Sequence, residues 1–228
     1  MSIDYFSKKS ATMVKVIGDQ SSILNQFLAE IRDSEIQKDN YRFRANIKRC
    51  AEIIAYEISK ELAYEMSEIQ TPLGISKTPV LSDNIVIASI LRAAIPMHNG
   101  MLDIFDKSGN SFIAAYRKYT DDNEFEIQLE YLSSPNLDDK ILILNDTMLA
   151  TGYSIEIAYR NLLKHGTPKH TFISTIIAST EGIEYIKRKL SLDKVSIFAG
   201  AVDSELTVKS YIVPGLGDAG DLAFGKKN

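Results

Sequence analysis

Three short runs of the chain, residues 85–90 (IVIASI), 141–144 (ILIL) and 171–178 (TFISTIIA), are apolar at almost every position. Runs of that length without alternation read as strands covered on both faces, the habit of parallel sheets. A fourth run, 195–199 (VSIFA), completes the set. Between them apolar residues recur every three or four positions, which predicts helices. One carries Ile23, Leu24, Phe27, Leu28 and Ile31 behind two good N-caps, Ser21 and Ser22. A longer one starts near Asn40 and carries Ile47, Ala51, Ile54, Ala55, Ile58 and Leu62, until Thr71-Pro72-Leu73-Gly74 breaks the pattern. Others carry Met97, Met101 and Phe105, then Ile155, Ala158 and Leu162, then Ile183, Ile186 and Leu190. Val14, Val16 and Ile17 suit a short strand or arm.

Residues 111–119 and 125–132 are strand-like runs about a polar turn, Thr120 to Glu124. In the second, Phe125, Ile127, Leu129 and Tyr131 alternate with Glu126, Gln128 and Glu130, so one face is expected to be wet. The whole pattern predicts an α/β fold: a mostly parallel sheet flanked by helices, with a β-hairpin protruding at about 111–132. No repeat, low-complexity tract or linker divides the 228 residues. A single domain spanning 1–228 is expected, with a helical N-terminal arm to about residue 40.

Composition narrows the function. Hydrophobic content of 45% and charged content of 25% are those of an ordinary globular protein. A net charge of −4 and a pI near 5.5 argue against a nucleic-acid surface, without excluding a local basic pocket. Cys50 is the one cysteine, so no intrachain disulfide forms; in a helical pattern it reads as a small packing residue. His98, His165 and His170 are scattered and no zinc motif appears. With no long apolar run, neither a membrane span nor secretion is expected, and the location is read as cytoplasmic. Arg42, Arg44, Lys48 and Arg49 crowd the start of the long helix. They read as a solvated face, or as a face toward an acidic partner such as a second subunit.

The chemistry concentrates at two places. In residues 141–154 (ILILNDTMLATGYS) a buried strand runs into Asp146, a short turn with Thr151 and Gly152, and a helix start at Ser154. Backbone N–H groups converge on such a turn and the helix dipole adds partial positive charge, so it is a cradle for an anion. Asp146 falls at the carboxyl end of its strand, where ligands bind in open α/β sheets. Arg92 falls at the end of residues 85–90 in the same way, and its planar fork suits phosphate oxygens. Arg117 and Lys118 stand near the hairpin start, within reach either of a pyrophosphate or of the neighbouring acids. The second place is residues 211–221 (YIVPGLGDAGD), where Gly215, Gly217 and Gly220 let the backbone approach a flat ligand and read its edge. Asp218 is then available to a sugar or a metal.

The loop from Asp146 to Gly152 resembles the phosphoribosyl pyrophosphate (PRPP) loop of type I phosphoribosyltransferases, in the version found in uracil phosphoribosyltransferases. Residues 211–221 resemble that family's uracil loop nearly residue for residue. Ile90-Leu91-Arg92-Ala93, Ala115-Tyr116-Arg117 and Arg42-Phe43-Arg44 resemble three more of its segments, in the right order between about Asn40 and Gly225. The resemblance implies a type I phosphoribosyltransferase-like fold with a C-terminal base-binding loop at about 211–225. It implies the reaction of uracil with PRPP to give UMP and pyrophosphate, with Mg2+. Arg92 and Arg117 would hold pyrophosphate, and Asp146 the ribose hydroxyls. Thr147, Met148, Leu149, Ala150, Thr151, Gly152, Tyr153 and Ser154 would wrap the 5′-phosphate. Ile212, Gly217, Asp218 and Ala219 would face uracil, with Asp218 also meeting PRPP through the metal. A homodimer or larger oligomer and a GTP effector are implied as well.

Four positions depart from the family pattern: Thr147 for proline, Tyr153 for a small residue, Ala94 for glycine and Leu222 for a basic residue. They put PRPP affinity in question, and Tyr153 and Thr147 motivate a second expectation, a regulator that keeps the fold and binds a nucleotide or RNA. A phosphoribosyltransferase for another base is the third.

Overall fold

The computed structural model describes residues 14–119, 125–190 and 192–226; the side chains of 115–119, 125–129 and 192 lie outside that description. In chain order the elements are β1 (Val14–Val16), α1 (Ile23–Arg32), α2 (Asn40–Ser59), β2 (Tyr64–Thr71), β3 (Gly74–Leu81), β4 (Ile85–Leu91) and α3 (Ile95–Ile104). Then come β5 (Gly109–Tyr119), β6 (Phe125–Ser133), β7 (Ile141–Asn145), β8 (Met148–Leu149), α4 (Tyr153–Leu162), β9 (His170–Ser179) and α5 (Thr180–Lys189). β10 (Val195–Asp203), β11 (Glu205–Leu206), β12 (Ile212–Val213) and α6 (Ala219–Phe224) finish the chain.

The main sheet runs β1-β10-β9-β7-β4-β5-β6, with β8 extending the pairing along β9. All its pairings are parallel except the β5–β6 hairpin. The continuous apolar runs are explained by burial: every residue of β7 and β9 is buried, as are the first six of β4. One face of the sheet (Ile87, Ile143, Phe172, Ile176, Phe198) packs on α1, α2 and α3 through Leu28, Ile47, Ile54, Ile58, Met97 and Met101. Cys50 is fully buried in this layer. The other face (Ala88, Leu142, Leu144, Ile173, Ile197) packs on α4 and α5 through Ile155, Ala158, Leu162, Ile183 and Ile186. Each such side chain contributes about 1.5–3 kcal/mol on burial.

This winding places the site. From β4 the chain crosses by α3 to β5 on one side; from β7 it crosses by α4 to β9 on the other. Right-handed crossovers in opposite directions must put their helices on opposite faces, and α3 and α4 do lie in different layers. The carboxyl ends of β4 and β7 therefore flank the crevice where the strand order reverses, the usual ligand position in such sheets. Leu91 closes one strand and Asn145 the other, so Arg92 and Asp146 flank the crevice.

At the N-terminus, Ser22 caps α1 in a capping box with Asn25, as its residue type predicts. Leu24, Leu28 and Ile31 are buried in the core, and β1 pairs with β10. The segment 64–81 brings a difference from the sequence reading. Thr71-Pro72-Leu73-Gly74, read only as the end of a helical pattern, is the turn of the β2–β3 hairpin. Thr71 Oγ1 accepts from Gly74 N at 3.1 Å and donates to Gly74 O at 2.8 Å. Both strands are exposed along most of their length, so the apolar-in, polar-out alternation that betrays a strand never develops. The basic cluster on α2 also finds partners inside the chain. Arg42 pairs with Glu30 at 2.8 Å and Lys48 with Asp103 at 2.6 Å. Arg44 donates to Ala223 O at 2.6 Å and Arg49 to Asn46 Oδ1 at 2.8 Å. Glu30, bonded first by Arg42 and then by Asn46 and Gln26, has its pKa lowered to about 2.

Two histidines are buried in polar pairs. His98 bridges Ser89 Oγ (2.8 Å) and Asn110 Oδ1 (2.9 Å), and His170 Nε2 lies 2.9 Å from Ser196 Oγ. Burial lowers His98 below the usual 6.5 and His170 to about 4. The unfolded chain protonates these rings near 6.5 and the folded chain only at lower pH, so acid favours unfolding. Stability is expected to be full above about pH 7 and to fall between 6.5 and about 4. Thermal melts across that range should show a shallower decline in His170→Asn; an unchanged slope would remove His170 from the account.

Candidate active site

β7 stops at Asn145, but the chain keeps its place beside β9: Asp146 N donates to Ser174 O at 3.1 Å, and Thr147 O accepts from Ile176 N and Ile177 N at 3.2 Å. Met148 and Leu149 then rejoin the ladder opposite Ile177 and Ala178. The result is a loop pinned along one side and open on the other. Its pocket is lined by Asp146, Met148, Leu149, Ala150, Thr151, Gly152, Ser154 and Ile155. Seven of the nine residues from Asp146 to Ser154 thus line it; Thr147 and Tyr153 do not.

Gly152 ends the loop at φ +86 and serves as N-cap of α4 without any side-chain cap bond, so the first-turn N–H groups are left for a ligand. A Cβ at Gly152 would stand 2.8 Å from Tyr185 Cδ1, and one at Gly182 would stand 2.3 Å from Ala150 O. Both glycines are needed for α5 to approach the loop this closely. Tyr153 is the first residue of α4 and turns away from the pocket, its ring centroid 4.7 Å from that of Tyr185 in an edge contact. Tyr185 in turn donates to Glu156. The positive φ that would make a bulky residue costly falls on Gly152 and not on Tyr153. Thr147 is fully buried, its carbonyl bound as above. Ala94, also buried, sits at φ −81 as N-cap of α3, where a Cβ is tolerated.

Arg92 follows a cis Leu91–Arg92 peptide. Its Nη2 reaches Asp221 Oδ1 at 3.2 Å and Gly225 O at 3.3 Å, which ties the end of β4 to α6. Its Nε is buried with no acceptor, a donor that an anionic ligand would satisfy. A Cβ at Gly220 would lie 3.2 Å from Asp218 Oδ1 and 3.8 Å from Arg92 Nη2, so both groups stand close to Gly220. Arg117 lies on β5 opposite Ile127, with its side chain outside the described ones.

The C-terminal loop is ordered by the core below it. Ile212, Leu216 and Ala219 are buried, and β12 pairs with β11. Gly215 at φ +54 and Gly217 at φ +94 take conformations that favour glycine. Asp218 caps α6, its Oδ1 accepting from Asp221 N at 2.9 Å. Leu222 donates no charge, but its carbonyl accepts from Asn40 of α2. Two features escaped the sequence reading: Asp221 as the partner of Arg92, and an Arg32–Asp203 pair beneath Gly215. The rule that singled out Asp146 and Arg92, chemistry at a strand's carboxyl end, would have found Asp203 as the last residue of β10.

A mostly parallel sheet flanked by helices, an open loop at its switch point, an arginine across the crevice and a glycine-rich C-terminal loop define a type I phosphoribosyltransferase fold. A family profile described as uracil phosphoribosyltransferase matches residues 18–226. A uracil phosphoribosyltransferase of Porphyromonas gingivalis is 49% identical over 92% of this chain and 97% of its own. One of Pyrococcus furiosus is 35% identical over 91% and 88%. The solved structure of the AQ2163 protein from Aquifex aeolicus superposes with a TM-score of 0.83 at 30% identity, covering 93% of this chain and 98% of that one. The chain belongs to the uracil phosphoribosyltransferase family.

Gly152→Ala is expected to cost about 1–3 kcal/mol through left-handed strain and the clash with Tyr185. It should weaken PRPP binding at least tenfold, about 1.4 kcal/mol. Thermal unfolding and a PRPP titration check it; wild-type affinity would mean that the loop does not need its glycine.

Proposed function

We propose that the protein transfers the phosphoribosyl group of PRPP to uracil, releasing UMP and pyrophosphate. The observation that carries this reading is the meeting of two half-sites at one sheet edge. The anion cradle after β7 and the main-chain loop of residues 212–219 flank Arg92, which is bonded to α6.

In this reading the phosphate of PRPP lies in the loop from Met148 to Ser154, against the N–H groups that follow Ala150, since those of Met148, Leu149 and Ala150 are given to Asp146 Oδ1, Thr175 Oγ1 and Met148 O, with the α4 dipole behind them. Asp146, half-buried at the pocket wall, accepts from the ribose hydroxyls. Arg92 and Arg117 hold the departing pyrophosphate, whose growing charge they stabilise more than they stabilise bound PRPP. As the bond from C1 to pyrophosphate breaks, its electron pair leaves with pyrophosphate and positive character develops on the sugar; N1 of the base forms the new bond as it gives up its proton, which leaves with pyrophosphate or to solvent. Ile212, Gly217 and Ala219 align that nitrogen through main-chain atoms, so positioning supplies much of the rate. No covalent nucleophile is needed. Cys50 is buried away from the site, its thiol pushed up to about 12 by burial.

Magnesium belongs to the proposal as the companion of pyrophosphate, whose charge it offsets when bound. Among the described residues no group of three His, Cys, Asp or Glu side chains stands ready to hold a metal. The half-buried carboxylate of Asp218 beside Arg92 is a hard oxygen donor of the kind magnesium takes alongside substrate phosphates. The reading extends to a cytoplasmic enzyme assembled from two or more copies. The exposed Met66, Ile69, Leu73 and Ile75 of the β2–β3 hairpin support such an assembly. GTP as an effector rests on family resemblance alone. Tyr153 and Thr147, which motivated a regulator, are both accommodated without loss of the cradle.

A magnesium-dependent assay with labelled uracil and PRPP should yield UMP, and Asp146→Ala should lower kcat/KM by about a hundredfold or more. Uracil should be preferred over purines in a base panel. Failure to form a nucleotide from uracil or a near analogue would overturn the reading.

A further inference from the structure

The carboxyl end of β10 holds Asp203, only 8% exposed, in a two-pronged pair with Arg32 from the last turn of α1. Arg32 Nη1 lies 2.8 Å from Asp203 Oδ2 and Nη2 lies 2.9 Å from Oδ1. The pair does more than join a helix to a strand. The same Nη1 donates to Gly215 O at 2.9 Å, and the same Oδ2 accepts from Gly215 N at 2.9 Å. One ion pair thus grips both polar groups of a single peptide residue. Gly215 is bound to that place by its own geometry: at φ +54, a Cβ there would lie 2.1 Å from Ile212 O.

A slot built from main-chain atoms has no side chains with which to adapt, so its selectivity depends on how firmly the backbone is held. Glycines at 215, 217 and 220 work against firmness, because glycine restrains the backbone least. Charge-assisted, bidentate bonds are the strongest restraint that protein groups offer to a neighbouring peptide. The loop also receives Arg44 at Ala223 O and Arg92 at Asp221, but those contacts lie on α6, beyond the slot. Only the Arg32–Asp203 pair, among the described contacts of charged side chains with this loop, reaches the stretch between Ile212 and Gly217.

We propose that Arg32 and Asp203 are positioning residues of the base slot. They set the place of the main-chain groups from Ile212 to Ala219 and thereby govern affinity for the pyrimidine, not for PRPP. This rests on the reading of that loop as the base slot. Arg32 belongs to α1, whereas the cradle is built by β7, β8, α4 and α5, and among the described contacts neither side chain of the pair bonds to a residue of the cradle.

The test is steady-state kinetics of Asp203→Asn and Arg32→Lys with each substrate varied at saturation of the other. Asp203→Asn keeps an oxygen for the Gly215 N–H but loses the ion pair; Arg32→Lys keeps the charge but cannot reach both carboxylate and carbonyl as a fork does. The expected result is a rise of about tenfold or more in KM for uracil, with KM for PRPP within about twofold. Arg32→Lys should be the milder of the two. A folded variant with unchanged KM for uracil, or with equal rises for both substrates, would overturn the proposal. So would a failure of both variants to fold, which would make the pair a folding element. If the wild-type protein itself neither binds nor uses uracil, it is the base-slot reading that fails, and the two failures are told apart.

Discussion

The site hangs on one event in the sheet. Up to Asn145 the strand β7 is paired on both sides, with Ser89 of β4 and Ser174 of β9 as its last partners. Beyond Asn145 it leaves β4 and stays with β9, three residues advancing on each side before Met148 meets Ile177. A strand that loses one neighbour leaves a gap with unpaired backbone on its free side. The gap opens where the strand order reverses, so Asp146 and Arg92 face each other across it without either being drawn from a long loop. The last tie between the parting strands is a side-chain bond, Asn145 Nδ2 to Ser89 Oγ at 3.2 Å, and Ser89 also reaches His98. Four elements that frame the crevice (β4, β5, β7 and α3) are therefore joined through one polar row, buried at Asn145, Ser89 and His98 and reaching the surface at Asn110.

Departures from the family pattern show how such a frame tolerates change. At Tyr153 the bulky ring leaves the cradle because the helix has already begun, and the residue that must be glycine is the one before it. At Ala94 the backbone is ordinary, so a methyl group enters the core at no conformational cost. At Thr147 the loop keeps its course because its carbonyl, not its side chain, is tied to β9. In each case the constraint that shapes the loop acts on the main chain.

The same distinction explains what could be read from the chain before its fold. β4 and β7 were legible because burial on both faces writes a nearly unbroken apolar run into consecutive residues; β9 is buried as fully, with His170, Thr171, Ser174, Thr175 and Ser179 among its apolar residues. The cradle and the glycine-rich loop were legible because each is a local device, complete within about a dozen positions. The β2–β3 hairpin was not, since its side chains are exposed on both faces and leave no period behind. Nor was the pairing of Arg32 with Asp203, which lie 171 residues apart; an ion pair between distant elements carries no spacing that a sequence can display. The basic residues of α2 read as a solvated face, or one toward a partner, because their acids, Glu30 and Asp103, stand on other helices.

The interior position of Cys50 has a consequence for redox chemistry. With its thiol pushed up to about 12 and no solvent contact, it has almost no thiolate at physiological pH, and thiolate is the form that oxidants and disulfides attack. As the chain's one cysteine, it has no partner within the chain for a disulfide. It lies on α2, in the core layer that also holds Ile212, Leu216 and Ala219 of the C-terminal loop, and is fully shielded from solvent. The thiol becomes reactive only when that layer opens, and its rate of alkylation is a clock for the opening of the core.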